Sequence, residues 1–150
     1  MTKVLPEASR WKQVGRISLW RYTEHDRNFP GWHLNADAAG CRSLLLLIES
    51  LSVDGEGHRT VDIAEPTEAQ LRVPNNRGGL APWTAPSKLR IALVRESGVW
   101  TFPPGTDPAI LTVGTAWVEP LREGVSGIQL GRGDYSIGTG KTGLPLWFWW

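Results

Sequence analysis

Read for its spacing of apolar and polar positions, the chain alternates between strand-like and helix-like segments. Residues 12–22, KQVGRISLWRY, favour a strand, with Ile17 and Leu19 on one face and Val14, Trp20 and Tyr22 on the other. Phe29-Pro30-Gly31 breaks the pattern. Residues about 36–52 carry the strongest helical signal. With Cys41 as origin on a helical wheel, Leu44, Leu45, Leu47, Ile48 and Leu51 share one apolar arc, and Arg42, Ser43, Glu49 and Ser50 lie opposite. Leu46 falls on the polar side, which suggests contact with a second element. Asn35 is placed to cap this helix, and Asp37 lies in its first turn, where negative charge is favourable. Gly40 weakens the helix by about 1 kcal/mol relative to Ala, or lets another backbone approach.

Beyond Asp54-Gly55-Glu56-Gly57, residues 59–64 alternate with Val61 and Ile63 on one face. Residues 67–73 fit a short helix or a strand. Residues 74–87 form a long irregular connection with Trp83 inside it. Residues 88–95, KLRIALVR, are the clearest strand. Glu96-Ser97-Gly98 reads as a hairpin turn into residues 99–102. Residues 109–113 suggest a further strand and 115–123 a short second helix, where Pro120 is tolerable only near a first turn. Two strands, 134–137 and 144–150, close the chain. The prediction is one α+β domain over 1–150: a mainly antiparallel or mixed sheet, the principal helix packed on one face, and residues 1–10 a loose N-terminal arm.

Composition narrows this little: 150 residues, 41% hydrophobic, 21% charged and a formal charge of +1. That is long enough for a core. The small net charge argues against a dedicated nucleic-acid binder. Charge is uneven along the chain, since residues 35–70 hold seven acids against two bases. Gathered in space, they would make an acidic face that includes Asp54 and Glu56; scattered, they would pair with the basic segments. A single cysteine, Cys41, excludes an internal disulfide, and no apolar leader or membrane-length run is visible. The expected protein is soluble and cytoplasmic.

Nine tryptophans change the picture more. An indole ring is large, yet its N–H needs an acceptor, so some should be half-buried or at an interface. Trp83, Trp100, Trp147, Trp149 and Trp150 are the candidate binding residues, together with Asp54 and Glu56. In a C-terminal strand, Trp147 and Trp149 would share one face and Phe148 and Trp150 the other, so both faces would be covered.

Candidate chemistry is sparse. GTGKTG at 138–143 resembles a phosphate loop, but Tyr135 stands where the first glycine belongs, and too few residues follow for a helix. It reads as a turn, as does the Arg-Gly-Asp triplet at 132–134. His25, His33, His58 and Cys41 lack metal-ligand spacing. Cys41 lies on the apolar face of the main helix. GVSG at 124–127 nearly matches a nucleophile elbow but has Ile128 where glycine is required. No cofactor or metal is expected, and no nucleotide or membrane. The functional expectation is a non-catalytic interaction protein, a small inhibitor or immunity-type protein, acting on a protein partner or a second copy of itself. The alternative is a small-molecule binder or enzyme with a Trp-lined apolar pocket, with His33, His58 or an acid at its mouth.

Overall fold

The computed structural model describes residues 7–24, 30–74, 82–132, 135–138 and 144–149. His25, Asp26, Asp134, Lys141 and Trp150 lie outside them, as do residues 139–143 of the GTGKTG turn. The fold is α+β, built on two mixed sheets and two main helices. In chain order the elements are β1 (Ile17–Tyr22), β2 (Trp32–Ala36), α1 (Ala38–Asp54), β3 (Gly57–Asp62), α2 (Glu68–Arg72), β4 (Trp83–Thr84), β5 (Lys88–Val94), β6 (Trp100–Thr101), β7 (Ala109–Gly114), α3 (Val118–Gln129), β8 (Tyr135–Ile137) and β9 (Leu146–Phe148). Short 3-10 turns occupy Glu7–Arg10 and Thr115–Trp117.

The first sheet has the order β4-β1-β2-β9-β8 and the second the order β3-β5-β7-β6. Each contains one parallel pair, β2 with β9 and β5 with β7. The inner faces of both sheets and the apolar sides of α1 and α3 form one core, from Ile17, Leu19 and Leu34 through Leu44, Leu47 and Leu111 to Val125 and Phe148.

The principal helix starts two residues later than the pattern suggests. Asp37, rather than Asn35, caps it: the carboxylate accepts from the Gly40 N–H at 2.7 Å and from the Arg16 N–H at 3.0 Å. These two hydrogen bonds hold the Asp37 carboxyl below its ordinary pKa. Asn35 belongs instead to β2, a strand whose mixed sequence WHLNA hides its extended geometry. Gly40 lets another backbone approach, because a β-carbon there would collide with the Arg16 carbonyl oxygen. Ser43, on the polar arc by its wheel position, is buried under residues 11–14. Its hydroxyl accepts from the Val14 N–H and its carbonyl from the Trp11 indole N–H. Leu46 stays 62% exposed.

Several boundaries follow from hydrogen bonding that periodicity does not reveal. Residues 7–10 are anchored at the end of α1, where the N–H groups of Glu7 and Ala8 donate to the Asp54 carboxylate and Ala8 is buried; residues 1–6 of the expected arm lie outside the described residues. Residues 68–72 are helical, nucleated by a capping box in which Thr67 and Gln70 satisfy each other's backbone N–H groups. The 96–98 turn does not make a hairpin. β7 lies between β5 and β6, and Gly114, at the end of β7, has no side chain where the Glu96 and Ser97 carbonyls pass. The second helix is longer than 115–123 implies, and Pro120 is its third residue, where no intrahelical N–H bond is lost.

Candidate functional site

Among the described residues, Trp11, Trp20, Trp32, Trp100 and Trp149 are buried, and several indole N–H groups donate to nearby backbone carbonyls. Trp11 donates to Ser43 O, Trp32 to Pro103 O, Trp100 to Leu144 O, Trp117 to Gly98 O and Trp147 to Pro30 O. Trp100 is part of the main core, beside Phe102 and Trp117. Trp83 lies half-buried in β4, against a second cluster made by Trp20, Tyr22 and Leu71. Trp147 is half-buried and Trp149 buried, their rings stacked 5.8 Å apart.

This second cluster covers the back of the first sheet. His33 is fully buried there, stacked on Trp20 at 4.4 Å with Tyr22 edge-on at 5.3 Å. The Trp149 indole N–H donates to His33 Nδ1 at 2.9 Å, so that nitrogen carries no proton and the imidazole is held in its Nε2–H form. Trp20 Nε1 donates to Asn35 Oδ1, and the Asn35 amide donates to Trp149 O. The Tyr22 hydroxyl donates to Leu71 O. Trp147 and Trp149 thus meet aromatic and polar side chains on their face, while Phe148 points into the main core. Trp147 and Trp149 stack on each other, and His33 lies between Trp20 and Trp149. The main core encloses a void of about 20 Å³, far below the few hundred Å³ that a small-molecule pocket needs.

Six of the seven acids of residues 35–70 are distributed and engaged. Asp37 caps α1, Glu49 pairs with Arg122, Asp54 accepts from Glu7 and Ala8, Glu56 pairs with Arg95, Asp62 with Lys88 and Glu68 with Arg72. Asp54 and Glu56 therefore hold other parts of the chain.

Of the nucleophile and metal candidates, Cys41 is buried and burial raises its thiol pKa, which keeps it protonated. Ser126 of GVSG lies within α3, not at a strand-to-helix turn, so the elbow geometry is absent. His58 is exposed on β3. Among the described residues no three His, Cys, Asp or Glu side chains gather to hold a metal, and no helix is long and apolar enough to cross a membrane.

Among the described residues, a groove of about 580 Å³ lies between α3 and β8. Sequence reasoning did not find it, because its walls come from segments with ordinary composition. Glu119, Glu123, Ser126 and Leu130 contribute from the α3 side, Arg132 from the turn beyond it, Tyr135 from β8, and Phe148 from β9. Gly124 brings α3 onto the sheet; a β-carbon there would strike the Phe148 ring. α3 ends in a Schellman turn, with Gly131 left-handed (φ 77°), its N–H bonded to Ile128 O and the Arg132 N–H to Gly127 O. A second open groove, of about 480 Å³, runs along the other side of α3 against α1 and includes Leu45, Leu46 and Glu49. Arg122 and Ser126 line both grooves. Arg122 bridges Glu119 of its own helix and Glu49 of α1. Burial, followed by the charge of Glu123 and a hydrogen bond to it, raises the pKa of the Tyr135 hydroxyl.

No protein-family model, curated protein or solved structure matches this chain.

Proposed function

We propose that this chain is a non-catalytic binding protein that contacts a protein partner through the face formed by α1, α3 and β8. The observation that carries this reading is the pair of open grooves flanking α3, with Leu46 exposed beside one and Leu130, 69% exposed, beside the other. Accessible apolar side chains set among fixed charges are the usual make-up of a contact surface. A small inhibitor or immunity-type protein works this way, by covering another protein's surface rather than by performing chemistry. The immobilised side chains on the back of the first sheet, Trp20, His33 and Trp149, supply a rigid frame for such a face.

The test is a native capture from lysate of the cells that make the protein, with wild type, the Leu46→Glu/Leu130→Glu double variant and an Ile110→Glu control on the second sheet. A stoichiometric partner retained by wild type and the control, and lost from the double variant, supports the reading. Capture of no protein by folded wild type, or capture unaffected by the double variant, overturns it.

A further inference from the structure

We infer that the groove between α3 and β8 receives a basic side chain, Lys or Arg, projecting from the protein partner. This rests on the binding role proposed above and names the chemistry of its central contact. Glu119 and Glu123 are four residues apart on α3, one turn of helix, and both line the groove. The two carboxylates differ in how they are held. Glu119 is paired with Arg122, which Glu49 also holds. Glu123 is hydrogen-bonded to a neutral donor, the Tyr135 hydroxyl.

The remaining walls suit the aliphatic stem of such a side chain. Phe148 and Leu130 are apolar, and the Tyr135 ring offers a π face to a cation. Gly127 leaves the helix wall bare, with only Arg132 Cβ near a β-carbon built there, at 3.7 Å. Arg132 also lines the groove, and an acidic side chain on the partner is therefore the rival occupant. Arg132 lies just beyond the α3 C-terminus, where the helix carbonyls already favour a cation. Among the described residues, that placement leaves Glu123 as the groove charge without an ion pair.

The probe is Nα-acetyl-arginine N-methylamide, titrated into the full-length, isotope-labelled protein, with the leucine and glutamate derivatives alongside. Backbone amide shifts at 119–129 and 135–137 report binding. The arginine derivative should shift these amides more than the other two. Glu123→Gln should weaken its binding by about two- to fivefold, the range of one exposed ion pair. Tyr135→Phe, which frees Glu123 while keeping the ring, should bind at least as well as wild type. The inference is overturned if the glutamate derivative shifts the groove as strongly, if Glu123→Gln binds arginine unchanged, or if the arginine derivative produces no groove shift. The two proposals fail separately. Capture that survives the Leu46/Leu130 variant rejects the contact face, whereas capture lost there with arginine affinity unmoved in Glu123→Gln rejects only the basic side chain.

Discussion

The two sheets of this protein use their faces differently. In the first, β1 and β2 are buried on both sides: Ile17, Leu19 and Leu34 meet the helices, while Ser18, Trp20, His33 and Asn35 face the aromatic cluster behind. In the second, β5 follows strict alternation, with Leu89, Ile91 and Leu93 buried and Lys88, Arg90, Ala92 and Val94 on the outer side. The outer face of the second sheet is the more accessible one, carrying exposed His58, Thr60 and Ile110. A strand covered on one face writes its geometry as a period of two. A strand covered on both does not, and its buried polar groups then need hydrogen-bond partners within the protein, which the buried Ser18 hydroxyl does not find among the described residues. The price of the doubly covered sheet is visible in the Trp149–His33 and Trp20–Asn35 bonds.

Substitutions can break this contrast. The largest effect is expected from Phe148→Ala, which empties a fully buried ring site beneath Gly124 and should cost about 3–5 kcal/mol in denaturant unfolding. A loss under about 1 kcal/mol would mean that β9 is not part of the cooperative core. Next comes Trp149→Phe. It keeps an aromatic ring but removes the N–H that His33 Nδ1 accepts, so a loss of about 1–3 kcal/mol is expected. If stability is unchanged, that hydrogen bond does not secure the back of the sheet. The smallest effect belongs to the second sheet: Ile110→Thr on its outer face should change stability by no more than about 0.5 kcal/mol. A loss comparable with that of Phe148→Ala would show that something covers this face too.

Between these extremes, the cap of α1 offers a pH-dependent check. The Asp37 carboxyl is lowered by its bonds to the Arg16 and Gly40 N–H groups. Its contribution is therefore present above the ordinary carboxyl range and is lost as pH falls through the lowered value. Asp37→Ala should cost about 1 kcal/mol at neutral pH, and its difference from wild type should shrink on acidification. A difference that persists unchanged in acid would reject the carboxylate as the source.

Much of the fold was legible because local signals agreed. The leucine arc of 41–51, the alternation of 88–95 and the separation of Ile17 and Leu19 from Trp20 and Tyr22 all correspond to observed faces. β2 was not legible. WHLNA has neither alternation nor an apolar run, because it is buried against two different environments at once. The Thr67–Gln70 capping box was readable, and it settles as helix a stretch that periodicity left open. The groove by α3 had no sequence signal. Glu123 and Tyr135 are ordinary surface residues until β8 returns beside the helix.

By itself, the sequence determined the α+β class, the principal helix, the strongest strand and the two-sided character of the C-terminal aromatic segment, because each depends on spacing within a few residues. Tertiary structure alone decided which acids pair with which bases, that β7 separates β5 from β6, and that His33 is sealed beneath Trp149. It also decided that α3 is flanked by two open grooves. These outcomes depend on which distant segments meet, and the cost of burying an unpaired charge or N–H is settled only when they do.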